Sequence, residues 1–191
     1  NINGGLNANR YSPLEQINAS NVKDLQIAWR WKADNFGPRP EGLNVTSPIM
    51  VDGVLYATAG TTRNVVAIDA ESGQTLWMWR PIEGERFEGS PRKNSGKGVA
   101  YWTDGEQKVI FVVTPGYFMA ALDANTGLPV ESFADGGILD LTLGLRLSPV
   151  RDDLDVTLTF PPTIVGDVIV VGAAHQVSMR PPHADNIKGD V

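Results

Sequence analysis

The sequence predicts an all-β protein assembled from repeated units of four antiparallel strands. Short apolar runs alternate with glycine-containing turns along most of the chain, which is typical of many short strands. The turn sequence Asp-Ala-x-Ser/Thr-Gly occurs at 69–73 and again, 54 residues later, at 123–127. A proline-led hairpin at 48–53 recurs 114 residues later at 162–167, close to two such periods. Four strands in a repeat of this length indicate the blades of a β-propeller.

Composition narrows the classes of protein. Of the 191 residues, 42% are hydrophobic and 20% are charged, as in globular proteins. The net charge of −6 disfavours a nucleic-acid partner, because phosphate binding needs a concentrated basic surface. Without cysteine, the chain forms neither a disulfide nor a thiolate metal site. No apolar run approaches the roughly 18 to 20 residues of a membrane span. Since the first residue is asparagine, we expect a processed chain or a fragment.

The leading segment, residues 1–45, is predicted to hold a loop, a short helix and a strand. Ser20 is a plausible N-cap for the helix, which would last one or two turns. Residues 26–31 alternate apolar and polar side chains, and this alternation predicts a strand. We expect that strand to close the ring of blades.

The first predicted blade covers residues 46–90 and the second covers residues 98–135. Asp52-Gly53 lies between two apolar runs of the first blade, which is the strongest short hairpin signal. In the second blade Asp104-Gly105 marks the first turn, and a last strand is predicted directly after Gly127. Residues 159–191 are predicted to start a third blade.

The repeated Asp-Ala-x-Ser/Thr-Gly turn is predicted to join the third and fourth strands of each blade. The carboxylates of Asp69 and Asp123 can accept hydrogen bonds from backbone N–H groups of their own turns, and the final glycines permit a positive φ. Trp77 follows the first turn and is expected to pack on the next blade. The second turn is followed at the equivalent place by Glu131, so that blade contact is expected to be weaker or made differently.

The ordered motifs resemble one known family, the bacterial quinoprotein dehydrogenases that use pyrroloquinoline quinone (PQQ), in particular a branch similar to glucose and sorbosone dehydrogenases. The first blade resembles the family's tryptophan-docking motif, Ala67-x-Asp69-x-x-Ser72-Gly73-x-x-x-Trp77. The leading segment resembles its N-terminal signature, with Tyr11-Ser12, Ile17-Asn18, Asn21-Val22 and Leu25. Two further stretches, "NSGKGVAYWTDG" and "TPGYFMAALDANTG", also resemble this family, and together the motifs span nearly the whole chain.

The resemblance implies an eight-bladed propeller, of which 191 residues make roughly three and a half blades. The chain is therefore expected to be the N-terminal part of a longer enzyme. The family's catalytic aspartate and a metal-binding asparagine or aspartate belong to later blades, so they are expected beyond Val191. We accordingly expect the fragment by itself to be inactive.

Four residues are candidates for binding the cofactor by this resemblance: Lys97, Thr159, Ala174 and His175. Lys97 stands where the family has a basic residue that reaches the cofactor, and a cation suits an anionic tricarboxylate. Thr159 matches a hydroxyl position that contacts PQQ, and Ala174-His175 match the place where the chain passes it. From the residues alone, a solvated loop lysine, a strand-edge threonine and a structural histidine are the alternatives.

Other candidates are weaker. His183 lies in a proline-rich loop, and the acidic run Asp152, Asp153 and Asp155 lacks the glycine and distal glutamate of a calcium loop. Compared with the family's alcohol-dehydrogenase branch, Pro91-Arg92 replaces an adjacent cysteine pair and Gln176-Val177 replaces a metal-binding glutamate. Val45 replaces a glutamate that is common in many branches.

The resemblance implies a periplasmic enzyme that oxidises an alcohol or sugar hydroxyl, with PQQ as hydride acceptor and calcium or a lanthanide as the metal. A cytochrome or ubiquinone would accept the electrons. Two alternatives stay open from the residues. One is a non-catalytic propeller that serves as a scaffold or binding module. The other is a sugar-binding or hydrolytic propeller, which would need paired carboxylates facing the axis.

Overall fold

The computed structural model describes residues 11–33, 36–37, 41–143, 145 and 156–175. The chain divides into two compact units, residues 1–31 and residues 32–191. None of the described residues belongs to a helix that is long and apolar enough to cross a bilayer.

The first unit contains a single turn of 3₁₀ helix, Val22–Asp24. Its N-cap is Asn21, so the prediction of Ser20 as the N-cap is wrong. The reason is a competing local network, because Asn18 Oδ1 accepts hydrogen bonds from both the amide (3.0 Å) and the hydroxyl (2.6 Å) of Ser20. The Ser20 hydroxyl is therefore engaged before the helix begins.

The strand predicted at residues 26–31 is not formed in the structure. Alternation of apolar and polar side chains indicates which face of a segment could be buried, but a strand also needs a ladder of backbone hydrogen bonds to a neighbour. The prediction of a strand at residues 26–31 is thus wrong, whereas the role of the segment in closing the ring of blades stays a prediction.

The second unit begins with a four-stranded antiparallel sheet in the order β1-β2-β3-β4. Its strands are β1 (Ile49–Val51), β2 (Val54–Ala59), β3 (Asn64–Asp69) and β4 (Thr75–Trp79). The predicted hairpin at Asp52-Gly53 is confirmed, with positive φ values of 49° and 79° that suit a two-residue turn. A short helix, α1 (Glu85–Gly89), follows the sheet.

The second sheet repeats this order with β5 (Ala100–Thr103), β6 (Lys108–Val113), β7 (Phe118–Asp123) and β8 (Ile138–Asp140). The position predicted for its fourth strand is wrong. Directly after Gly127 only an isolated bridge forms, between Leu122 and Pro129. A turn at 131–137 then separates this bridge from β8, which pairs with the other end of β7. The bridge is held by bonds from the Asp123 amide to the Leu128 carbonyl and from the Val130 amide to the Ala121 carbonyl, and the chain then leaves β7 in the 131–137 turn. The outer strand is therefore split into two pieces.

The third repeat is represented by two small antiparallel sheets. The predicted hairpin at Gly166-Asp167 is confirmed, and it joins β10 (Thr163–Val165) to β11 (Val168–Val170). The flanking strands β9 (Val156–Thr157) and β12 (Ala174–His175) pair with each other.

The core lies between consecutive sheets, which pack face to face as propeller blades do. One apolar cluster joins Tyr56, Val65 and Ala67 of the first sheet to Ile110, Val112, Ala120 and Leu122 of the second. On the opposite face of the second sheet, another cluster joins Val109, Phe111, Met119 and Ala121 to Ile164 and Ile169 of the third repeat. The molecule is thus a partial propeller.

The repeated turns have the predicted geometry. Asp69 Oδ1 accepts from the Ser72 amide at 2.7 Å, and Asp123 Oδ1 accepts from the Thr126 amide at 2.8 Å. The Trp77 indole Nε1 donates to the Ala124 carbonyl at 2.9 Å, which confirms its contact with the next blade. In the second blade Glu131 is exposed, and the Phe133 ring instead packs edge-on against Phe111, with centroids 5.5 Å apart. Both rings belong to the second blade, so how this blade contacts the next one in place of a tryptophan stays a prediction.

Candidate functional site

Three chain segments that precede the first strands of the repeats lie side by side. The Ser47 amide donates to the Lys97 carbonyl at 3.2 Å, and the Lys97 amide donates to the Thr159 carbonyl at 2.6 Å. Each segment enters a different sheet, so these bonds connect equivalent points of successive repeats. Two of the four candidate residues, Lys97 and Thr159, are therefore direct neighbours.

The Lys97 side chain is held above an aromatic ring. Its Nζ lies 3.8 Å from the centroid of Phe160, the residue after Thr159, which is a favourable cation–π distance. Thr159 itself is buried, with 8% of its surface exposed. The pair therefore combines a positioned cation with a buried hydroxyl residue, a combination that can bind a carboxylate.

Strand pairing also relates Ala174 and His175 to this place. Ala174 is the register partner of Thr157 and His175 is the partner of Val156, two and three residues before Thr159. The backbone of the third repeat thus brings all four candidate residues into one region of the second unit.

The weaker candidates divide into two groups by where they lie. His183, the acidic run Asp152, Asp153 and Asp155, and Gln176-Val177 lie outside the described residues. Val45 is described, and its amide donates to Ser95 Oγ at 3.4 Å. Within the described part of the chain, no three potential ligand side chains cluster as a metal ion would require.

Arg63, which the sequence did not single out, is buried with 1% exposure between the same segments. Its guanidinium donates to backbone carbonyls at Leu158 (2.5 Å), Val113 (2.9 Å), Asn94 (3.2 Å) and Arg92 (3.4 Å), and to Asn94 Oδ1 (3.4 Å). Burial lowers the pKa of Arg63 to about 10, although the Glu83 and Glu41 carboxylates act in the opposite direction. The group is consequently still cationic at neutral pH.

Glu83 lies near this arginine in a largely buried position. Its Oε1 accepts from the Thr114 hydroxyl and, at 2.9 Å, from the Gly116 amide, while Oε2 is buried without a hydrogen-bond partner. Burial raises the pKa of Glu83, and these hydrogen bonds and the charges of Arg63 and Arg86 only partly offset that effect.

Glu41 supports the loop that carries Lys97. Its Oε1 accepts a 2.6 Å hydrogen bond from the Ser95 amide, two residues before Lys97. Its Oε2 is buried and has no hydrogen-bond partner. The Glu41 carboxylate therefore contacts the loop that carries Lys97. Val45, where a glutamate was expected from the family resemblance, does not supply one.

One sequence signal could have identified Arg63. In "GTTRN" a charged residue stands at a predicted turn between two apolar runs. In the structure Arg63 closes the turn between β2 and β3 with a φ of 56°. Non-glycine residues at positive φ are uncommon and cluster at functional sites. The pattern alone, however, does not show which distant carbonyls such a side chain would reach.

The described residues thus form a partial β-propeller in which Lys97 and Thr159, at the starts of two repeats, make up a candidate binding site. Comparison with known proteins assigns the family. The whole chain, residues 1–191, matches the PQQ family described as "Glucose/ethanol/alcohol dehydrogenase, beta-propeller domain". The chain belongs to this family of PQQ-dependent dehydrogenases.

Individual relatives agree with this assignment. The chain is 39% identical over 124 residues to quinohemoprotein alcohol dehydrogenase ADH IIB of Pseudomonas putida, covering 64% of this chain and 16% of that protein. It is 32% identical over 179 residues to the glycerol dehydrogenase large subunit of Gluconobacter oxydans, covering 88% and 23%. The chain thus spans 16% to 23% of these relatives' lengths. Its position in the glucose-dehydrogenase-like branch stays a prediction.

Solved structures show the same fold. Quinohemoprotein alcohol dehydrogenase from Comamonas testosteroni superposes with a TM-score of 0.64 at 28% identity, over 88% of this chain and 22% of that one. A europium-containing methanol dehydrogenase superposes with a TM-score of 0.62 at 24% identity, over 87% and 25%, which shows likeness of fold.

Proposed function

We propose that this chain forms part of the cofactor site of a PQQ-dependent oxidoreductase that oxidises an alcohol or sugar hydroxyl. The observation that carries the proposal is the juxtaposition of Lys97 and Thr159 through a 2.6 Å backbone hydrogen bond, in a chain of this family. PQQ would supply the two-electron acceptor of the reaction when bound.

The residues fit an anionic cofactor. Lys97 offers a point charge to a carboxylate, and its stacking on Phe160 limits the positions that Nζ can take. Thr159 offers a hydroxyl from a buried position, where a hydrogen bond to a charged group is stronger than in water. Their role is to bind and orient the cofactor, and none of the described residues is assigned as the base that takes the substrate proton.

The substrate and electron acceptor are inferred from relatives. The names of those relatives refer to alcohol, glycerol and 1-butanol, and one of them, from Thauera butanivorans, is called a 1-butanol dehydrogenase (cytochrome c). We accordingly propose a small alcohol or sugar as substrate and a cytochrome or ubiquinone as acceptor. A calcium or lanthanide ion as the metal and a periplasmic location complete the proposal.

Binding of PQQ to the whole natural chain tests it. The apo-protein should bind PQQ and then reduce a dye acceptor in the presence of an alcohol. Replacement Lys97→Ala should weaken PQQ binding about tenfold or more, since a hydrogen bond to a charged group is lost. Lys97→Arg should keep most of the affinity because it keeps the charge.

Lys93→Ala is the matched control. Lys93 belongs to the same loop, but its Nζ donates to the Glu88 carbonyl at 2.6 Å rather than lying beside Thr159. It should leave PQQ affinity unchanged. A folded wild-type protein that fails to bind PQQ would instead favour the non-catalytic propeller that serves as a scaffold.

A further inference from the structure

Arg63 donates hydrogen bonds to both chain segments of the candidate site, the one before Lys97 and the one before Thr159. One bond reaches the carbonyl of Leu158, immediately before Thr159, and others reach the 92–94 backbone, shortly before Lys97. The fit is close, because a Cβ atom added at Gly96 would lie 2.7 Å from Arg63 Nε. The guanidinium therefore fixes the chain on the N-terminal side of each member of the Lys97–Thr159 pair.

All five acceptors of Arg63 are neutral oxygens of peptide groups or of an amide side chain. Among the ion pairs formed within the described part of the chain, none includes Arg63. Burying a cation without a directly paired anion is costly. The Glu83 and Glu41 carboxylates offset only part of this cost, since burial still lowers the pKa of Arg63.

The second blade provides an internal comparison. Tyr117 closes the turn between β6 and β7 as Arg63 closes the turn between β2 and β3. Each amide donates 3.1 Å to the carbonyl three residues earlier, and the φ values are 64° and 56°. Tyr117 is buried, and its hydroxyl reaches the Gly172 carbonyl of the third repeat at 3.4 Å.

A neutral side chain at this turn can therefore link one repeat to the next. Contact between repeats therefore does not by itself require a charged side chain. Arg63 differs from Tyr117 in placing a positive charge next to the chain segments of Lys97 and Thr159, which we propose bind an anion. In a poorly solvated site, a fixed cation attracts an anion over a longer range than it does in water.

We propose that Arg63 is a positioning residue for the cofactor, which fixes Lys97 and Thr159 relative to each other and adds a buried positive charge that favours an anionic ligand. This inference rests on the proposed function. Arg63 need not contact PQQ itself, but we expect its replacement to weaken PQQ binding measurably.

The test measures PQQ affinity by quenching of tryptophan fluorescence, and thermal stability of the apo-form, in the whole natural chain. Arg63→Met should weaken PQQ binding about 30-fold, because both the charge and the clamp are lost. Arg63→Lys keeps the charge but loses the multiple contacts, so it should weaken binding about fivefold.

Tyr117→Phe is the matched control, since it removes the equivalent hydrogen bond without a change of charge. It should lower apo-form stability and leave PQQ affinity within about twofold of wild type. Combining Arg63→Met with Lys97→Ala should give less than the sum of the separate effects, because Arg63 acts partly through Lys97.

The outcomes separate the two proposals. If wild type binds PQQ and folded Arg63→Met binds it within about twofold as tightly, Arg63 has only a structural role and this inference is overturned. If Arg63→Met does not fold, Arg63→Lys decides by the same criterion. If folded wild type does not bind PQQ, the proposed function fails first.

Discussion

The amide of Lys97 donates a 2.6 Å hydrogen bond to the carbonyl of Thr159, although 62 residues separate them in the chain. Through this bond the starts of two successive repeats are held at a fixed spacing. The Lys97 carbonyl in turn accepts from the Ser47 amide, so the same line of contacts extends to the first blade. The backbones of two residues that we propose to bind the cofactor, from different repeats, are thereby in direct contact.

The contact between Trp77 and Gly127 should be intolerant of a single added carbon. A Cβ at Gly127 would lie 2.4 Å from Trp77 Cε3, so Gly127→Ala must displace the indole and its bond to Ala124. Gly53→Ala is the control, because Gly53 has a similar φ (79° against 72°) with no atom near the added carbon.

Chemical denaturation of the whole natural chain would measure both variants. Gly53→Ala should cost about 1 kcal/mol for its backbone conformation, and Gly127→Ala about 2 to 3 kcal/mol more. Equal losses would mean that the packing of Trp77 on the second blade contributes no stability.

Adjacent alanines on β7 should respond in opposite ways to enlargement. Ala121 lines a cavity of about 260 Å³ between the second sheet and the β10–β11 hairpin, whereas Ala120 faces the filled core against the first sheet. Ala121→Val should stabilise the protein by about 1 kcal/mol by burying more apolar surface. Ala120→Val should destabilise it by about 1 to 3 kcal/mol through overpacking.

Unfolding midpoints of the two valine variants, measured at the same pH, provide the comparison. Both alanines are almost fully buried, at 1% and 0% exposure, so exposure cannot account for a difference between them. A destabilised Ala121→Val would show that the cavity is filled in solution.

Glu83→Gln should stabilise the protein at pH 7. Burial raises the pKa of Glu83, so its protonated form favours the folded state. The stability that this carboxyl contributes is fully present below its ordinary pKa and is lost as pH rises through the raised value. The variant should therefore unfold at a higher temperature than wild type at pH 7, and at the same temperature near pH 4.

Glu85→Gln, at an exposed neighbouring position, is the control and should leave the unfolding temperature at pH 7 unchanged. Thermal unfolding curves between pH 4 and pH 7 test whether Glu83→Gln raises or lowers the unfolding temperature. A lower midpoint for Glu83→Gln at pH 7 would show that attraction to Arg63 and Arg86 outweighs the burial of the charge.

Asp140 should contribute to stability only above strongly acidic pH. Burial acts to raise the pKa of Asp140, but hydrogen bonds from Arg86 and Thr142 outweigh that effect and hold this pKa at about 2. Its contribution is thus present above the ordinary value of 3.8 and is lost as pH falls through about 2. Asp140→Asn should cost about 1 kcal/mol at pH 7, allowing for solvent screening of a partly exposed pair.

Denaturation of Asp140→Asn and wild type between pH 7 and about pH 2 would show the two curves converging at the acid end. Asp135→Asn, at an exposed position in the preceding turn, serves as the control and should be as stable as wild type at pH 7. A constant difference for Asp140→Asn would show that lost packing, rather than the ion pair with Arg86, causes the effect.

Local features of the fold were predictable because a few neighbouring residues determine them. Asp52-Gly53 and Gly166-Asp167 specify hairpins through their backbone preferences, and Asp69 and Asp123 bond to their own turns. The same reasoning misplaced the fourth strand of the second blade. There the 131–137 turn interrupts the outer edge after the bridge at Pro129, and which later residues complete that edge depends on their pairing with β7.

The sequence by itself therefore determined the repeat, its turns, the contact residue Trp77 and, through resemblance, the identity of Lys97 and Thr159 as site candidates. Only the tertiary structure decided that these two residues adjoin, that Arg63 hydrogen-bonds to both of their segments, and that a cavity remains beside the apolar contact between the second sheet and the third repeat. The physical reason is the distance along the chain between the residues that interact. A turn is specified by four or five consecutive residues, whereas a buried guanidinium finds its carbonyl partners only after separate sheets have packed together.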